Sequence, residues 1–300
     1  MLLFLFVNNI LPAFIIIGLG VLLERRLEVD LRTPSRMALY VLTPCLVFSS
    51  LVKSTVGGSE VTDILIFLAL ITVGLGVVAW VTARLLRLDQ VRENALLLST
   101  MFLNAGNLGL PVLLFAYGQN GMDRGLIFYT GSALLCHTVA AYFASRGKRG
   151  VGQSLLNMFK LPAVYAIALA FLLRTVHLVP PDFIMKPLTM TGSAAIPLLL
   201  LVLGMQLSRT RLHGNLSLIG IATLIKLVGA AALAFLFAQL IGLEGLTRQV
   251  CILEASTPTA VTVIMMSIEF EADPDFVTSV VFLSTLLCSI TLTFVMRLLG

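Results

Sequence analysis

Charged side chains are scarce in this chain. Only 12% of its 300 residues are Asp, Glu, Lys or Arg, whereas 58% are hydrophobic. A soluble domain carries roughly 25% charged residues. With a mean hydropathy of +1.02 there is too little polar surface to cover a water-soluble body, so much of the surface faces lipid. A disordered chain is excluded on the same ground. The net charge of +5 forms no basic patch but lies in short clusters between apolar runs, which excludes a nucleic-acid-binding domain. Cysteine is equally sparse. Cys45, Cys136, Cys251 and Cys288 stand far apart inside apolar runs, without metal-ligand spacing, and read as small packing residues rather than as a disulfide framework. Catalytic signatures are missing too: there is no His-Glu-x-x-His run and no Gly-x-Ser-x-Gly serine, so the chain does not read as an enzyme and calls for no cofactor.

What is present is long apolar runs. A spanning helix needs about 20 mostly apolar residues, because each advances about 1.5 Å through a hydrocarbon core about 30 Å thick. That ruler predicts an all-α membrane protein with ten transmembrane helices: Leu2–Leu23, Ser35–Val52, Val61–Leu86, Glu93–Tyr117, Met122–Ser145, Ser154–His177, Phe183–Leu207, Leu216–Ile241, Leu246–Glu269 and Asp275–Leu299. The first run has no basic leader and exceeds a signal core of roughly 7–15 residues, so it reads as a spanning helix. Thirteen of the 20 Lys and Arg residues cluster beside the loops after helices 1, 3, 5 and 7, against six on the opposite face. The positive-inside rule puts those loops in the cytoplasm and both termini outside.

Five helices on each side of the Arg146–Gln153 loop give the halves opposite orientations. Prolines pair across them in the first, second and fourth helix of each half: Pro12 with Pro162, Pro44 with Pro197 and Pro111 with Pro258, at separations of 150, 153 and 147 residues. The expectation is two inverted five-helix repeats, residues 1–145 and 154–300, joined by a short cytoplasmic linker, residues 146–153. Secondary transporters use such repeats to alternate access between the two faces.

Helix 4 contains Asn104-Ala105-Gly106-Asn107-Leu108-Gly109-Leu110-Pro111, and helix 9 contains Glu254-Ala255-Ser256-Thr257-Pro258-Thr259. Proline removes a backbone bond and glycine weakens the helix by about 1 kcal/mol relative to alanine. Freed main-chain groups have to face protein or a water-filled cavity. Discontinuous helices in equivalent places of two halves point to a binding site, and their half-helix N-termini suit an anion. The expected substrate ligands are Asn104, Asn107, Thr257 and Thr259, with Gly106, Gly109, Pro111 and Pro258 shaping the crossover; two plain proline kinks are the alternative.

The Asn-x-Gly-Asn-x-Gly-Leu-Pro run resembles the fourth-helix motif of bacterial auxin efflux carrier (PIN-like) proteins. Leu11-Pro12, Thr43-Pro44, Ala195-Ile196-Pro197, Leu203-Gly204-Met205-Gln206-Leu207 and Leu283-Ser284-Thr285-Leu286 extend the likeness over the whole chain. The resemblance implies a multi-pass protein of the bacterial inner membrane. It implies a scaffold of helices 1, 2, 6 and 7 that forms a homodimer, and a transport domain of helices 3–5 and 8–10. Broken helices 4 and 9 would cross mid-membrane at Pro111 and Pro258, and the substrate would be a small organic anion, auxin or a dicarboxylate. The long cytoplasmic loop of many plant members is absent.

Lys226 and Glu254 fall inside predicted spans, where each costs roughly 2.5–3.5 kcal/mol on insertion scales, so both are expected to face the bundle interior. Either Glu254 binds a coupling proton or sodium ion, as a distant likeness to bile acid sodium symporters implies, or it forms a structural ion pair with Lys226. His137 in helix 5 is a further coupling candidate, and equally a packing residue. The functions that follow are a secondary transporter of small organic anions, a sodium- or proton-coupled symporter centred on Glu254, or a membrane sensor that binds without transport.

Overall fold

The computed structural model describes residues 1–27, 29–146, 162–210 and 212–300, and the side chains of all of these except 137–146. Residues 147–153 of the expected linker, the start of the expected sixth span and the His137 side chain lie outside them. The described residues are helical, with one isolated pair of bridged residues and no longer strand. The helices are α1 (Leu2–Leu27), α2 (residues 32–51), α3 (Gly58–Leu85), α4a (Gln90–Met101), α4b (residues 105–117), α5 (residues 119–146), α6 (Pro162–Thr175), α7 (Asp182–Ser208), α8 (Leu216–Leu240), α9a (Gly245–Ala255), α9b (Thr262–Glu269) and α10 (Pro274–Leu299). Among them α1, α3, α7, α8 and α10 run 25 to 28 residues, apolar and long enough to cross a membrane.

Local chemistry sets the ends. Asp89 accepts from the Arg92 N–H to cap α4a, Asn215 from Ser217 and Leu218 to cap α8, and Asp273 from Phe276 to cap α10. Between α4b and α5 the chain turns at Gly118, whose φ of 63° is left-handed and costs glycine least. Prolines leave a regular mark. The wide turns at residues 6–10, 38–42 and 105–109 each end two residues before a proline, Pro12, Pro44 or Pro111. Proline cannot bond to the carbonyl four residues back and its ring presses on it, and one extra residue per turn relieves both problems. The side-chain amide of Asn8, in the first of these turns, donates to the Phe4 carbonyl at 2.8 Å.

Two groups of helices emerge from the packing. In one, α1 lies on α7, and α2 on α6 and α7. The α1–α7 approach is backbone to backbone: a Cβ on Gly20 would run into the Leu201 carbonyl, and one on Gly204 into that of Ile17. Arg209 ties the same two helices by donating to Glu24 at 2.6 Å and to the Val29 carbonyl at 2.8 Å. In the second group α3 packs on α4a and α5, α9a on α5 and α8, and α10 on α4a and α8. Arg124 and Thr247 both donate to Glu60, at 2.8 and 2.6 Å, and so fasten α5 and α9a to the start of α3.

Gly20→Val and Gly204→Val are each expected to lower stability by about 1–3 kcal/mol through overpacking. Gly18, with open space at its Cβ position, is the control. Thermal unfolding of detergent-solubilised protein checks this: both variants melt earlier, and Gly18→Val stays near wild type.

Candidate substrate site at two paired helix interruptions

Helix α4a stops at Met101, and Phe102 turns into extended backbone. Residues 102–104 then run antiparallel to residues 258–260. The Asn104 N–H donates to the Pro258 carbonyl at 2.9 Å and the Ala260 N–H to the Phe102 carbonyl at 3.2 Å, with Leu103 opposite Thr259. The contact therefore includes Pro258 but not Pro111, which stands eight residues past Leu103, just after the wide first turn of α4b. Pro258 takes part through its carbonyl alone, since a proline has no N–H to give.

Side chains complete what the backbone leaves open. The Thr259 hydroxyl donates to the Ser99 carbonyl at 2.6 Å, its N–H donates to the Ser284 hydroxyl at 3.2 Å, and the Thr257 hydroxyl donates to the Glu254 carbonyl at 2.6 Å. Both threonines are fully buried, and neither lines the neighbouring cavity. Their hydroxyls hold the interruption together. Lys226 is also fully buried, and its ammonium donates to the carbonyls of Thr100 at 3.2 Å and Phe102 at 2.9 Å. It makes no ion pair with Glu254. The Glu254 carboxyl lies in the second helix group against Gly109 and Gly125; a Cβ on Gly109 would overlap it, and neither oxygen has a hydrogen-bond partner. Gly106 serves a different neighbour, its bare Cα facing the Tyr129 ring.

A cavity of about 790 Å³ opens between the two helix groups. One wall comes from α2, α6 and α7, the other from the α4 interruption, α5 and α9b, and apolar side chains such as Leu103, Val261 and Met266 make up much of it. Asn104 and Asn107, two of the four residues read from the sequence as ligands, both line it. Three of the residues that line it carry a buried polar atom without a partner in the protein: Asn104 Nδ2, Thr43 Oγ1 and Thr130 Oγ1. Asn104 is 3% exposed, Thr43 1% and Thr130 6%. Gln206 adds an unpartnered Oε1. A buried polar group without a partner costs about 1–3 kcal/mol, which makes these residues the candidates for contact with a polar guest. Arg209, nearer the mouth, is already held by Glu24. Sequence reasoning missed Thr43, Thr130 and Gln206 as site residues. Thr43-Pro44 and Gln206 lie within family-like stretches, but nothing around Thr130 marks it.

An apolar, all-helical chain whose paired interruptions border a cavity of waiting hydrogen-bond donors has the build of a membrane transporter. The sequence profile of the family described as membrane transport protein matches residues 5–154 and again residues 149–296, and the chain belongs to that auxin efflux carrier, or PIN-like, family. An uncharacterized transporter of Methanocaldococcus jannaschii is 28% identical over 262 residues, 84% of each chain. Another, of Methanothermobacter thermautotrophicus, is 28% identical over 285 residues, covering 94% of this chain and 92% of the relative. The protein is a multi-pass membrane transporter and not an enzyme.

The Gly109–Glu254 contact yields a coupled prediction. Gly109→Ala is expected to destabilise through overlap with the carboxyl, by about 1–3 kcal/mol. Adding Glu254→Ala removes the obstacle, so the double variant should melt above the sum of the two single effects. Strict additivity in a thermal double-mutant cycle would contradict the contact.

Proposed function

We propose that the protein is a secondary transporter that moves small organic anions, carboxylates above all, by alternating access. The observation that carries this reading is that Asn104, Thr43 and Thr130, each with a buried donor that has no partner, all line the cavity beside the α4 interruption. Asn107 and the first turn of α4b add donors and the positive end of a half-helix. Neutral donors hold a carboxylate without trapping it. The apolar wall sorts guests by shape.

In this reading the chain forms ten spans as two inverted five-helix repeats. Three observations support it. The α1–α7 and α2–α6 packings exchange when the halves are swapped. The antiparallel pairing of Leu103 with Thr259 is what a two-fold axis in the membrane plane generates. The family profile matches once in each half. Helices α1, α2, α6 and α7 form the scaffold, joined to a second copy as a homodimer; α3–α5 and α8–α10 form the transport domain, with the crossing near the bilayer midplane. Both termini lie outside and the cavity opens towards the cytoplasm, because its lining extends to Leu31, Arg209 and Phe270, in or beside the connections that the arginine and lysine bias assigns to that face. The transport domain then slides on the scaffold and carries the bound anion to the other side.

One observation favours a second reading, a proton- or sodium-coupled symporter. Glu254 is a fully buried carboxyl without a hydrogen-bond partner, the kind of group that takes up a coupling cation. Glu254→Gln would then abolish the dependence of uptake on a proton or sodium gradient; unchanged dependence would contradict this reading.

Purified protein in liposomes, supplied with radiolabelled mono- and dicarboxylates, tests the main proposal. A hydrogen bond to a charged group contributes about 1.5–3 kcal/mol, so Asn104→Ala and Thr130→Val should each weaken uptake roughly tenfold or more while protein yield stays near wild type. Wild-type uptake by both variants would remove the cavity from the transport path.

A further inference from the structure

Helix α4a ends inside the second helix group, and its last carbonyls need partners. An α-helix leaves four carbonyls without an internal donor at its C-terminus, and those oxygens carry the negative end of the helix dipole. Thr259 takes the Ser99 carbonyl, and Ala260 takes one lone pair of Phe102. The Thr100 carbonyl and a second bond to Phe102 fall to Lys226 Nζ, on a helix more than 120 residues further along the chain. Lys226 is fully buried and has no carboxylate partner among the described residues. Its only recorded acceptors are main-chain carbonyls, the ligand type that broken-helix transporters offer to a soluble cation at the end of a half-helix.

The helix that delivers it is shaped for this. Residues 225–229 form a wide turn, and unlike those at residues 6–10, 38–42 and 105–109 it precedes no proline two residues on. A wide turn without a proline to cause it commonly marks a functional position, because the extra residue re-aims the side chains around it. Here the re-aimed residue is Lys226.

We propose that Lys226 is the resident cation of the crossing: its tethered ammonium occupies the carbonyl cradle at the end of α4a, so that no sodium ion binds there. Resting on the transporter reading, this makes any sodium requirement of uptake independent of the α4a end. The ammonium is a positioning group. It fixes residues 100–102, and through them the pairing of residues 102–104 with 258–260 that sets Asn104 at the cavity.

The test separates charge from packing and needs no known substrate. Thermal unfolding of purified protein is measured in sodium, potassium and choline chloride at equal ionic strength for wild type, for Glu254→Gln, which removes the other candidate cation site, for Lys226→Met, which keeps the bulk, and for Lys226→Ala, which opens a hole. The proposal expects Glu254→Gln to melt at one temperature in all three salts. It expects both Lys226 variants to melt earlier than wild type by more than about 4 °C, and ethylammonium or sodium to restore part of that loss in Lys226→Ala. A Glu254→Gln protein stabilised by sodium over choline, a Lys226→Met variant as stable as wild type, or a Lys226→Ala variant indifferent to added cations would each overturn it. If both Lys226 variants fail to fold, the Glu254→Gln salt comparison decides. Uptake of malate and indole-3-acetate by liposomes with and without a sodium gradient is measured in parallel. Absence of uptake for every probe would count against the transporter reading, while the melting data would still judge the role of Lys226.

Discussion

Main-chain polarity inside hydrocarbon is the constraint on which the rest of this molecule depends. A helix that breaks within a membrane exposes amides and carbonyls, each costing several kcal/mol if left bare, roughly the cost of a buried charge on insertion scales. The protein breaks two helices and pairs the breaks with each other. The Asn104 N–H donates to the Pro258 carbonyl, and the Ala260 N–H to the Phe102 carbonyl. Thr257, Thr259, Ser284 and Lys226 make further bonds around the two breaks. With so many of these groups satisfied, the polar side chains that still lack a partner at the cavity, Asn104 and Thr130 first among them, stand out as the groups offered to a guest.

The same constraint accounts for the division of labour between residue types. Hydroxyl side chains around the α9 interruption look like ligands in a one-dimensional reading but bond main-chain carbonyls, Thr257 that of Glu254 three residues back and Thr259 that of Ser99 across the pairing. Asparagine at position 104 has a longer side chain with donors to spare, and its backbone rather than its amide makes the pairing contact. Glycines 106 and 109 admit large neighbours, the Tyr129 ring and the Glu254 carboxyl, close to the backbone of the first turn of α4b. Gly20 and Gly204 let two helices of the other group touch, so that the wall opposite the interruption is held by close backbone packing.

Much of this was legible in the sequence. Hydropathy marked the helices, and the Asn104–Pro111 run marked an interruption, because proline and glycine act locally and declare themselves wherever they occur. Tertiary partners were less visible. Lys226 and Glu254 were natural candidates for an ion pair, being the two charges buried in adjacent spans, yet Lys226 serves carbonyls contributed by α4a and Glu254 lies beside Gly109. Spacing along one helix says nothing of which neighbour fills the space beside it. Pro111 and Pro258 seemed equivalent by their separation, but Pro111 lies inside α4b, past its first turn, while Pro258 lies within a break; the equivalence of the breaks follows main-chain pairing. Thr43 and Thr130 become site residues only when α2 and α5 are brought to opposite walls of one cavity.

The account stands or falls on whether a carboxylate sits among those donors. A structure determined with a transported carboxylate bound is the most direct measurement. The account predicts its oxygens within hydrogen-bond distance of the Asn104 side chain and the Thr130 hydroxyl, in the cavity beside the Leu103–Thr259 pairing. A carboxylate bound elsewhere, with acyl chains of lipid filling that cavity, would contradict it.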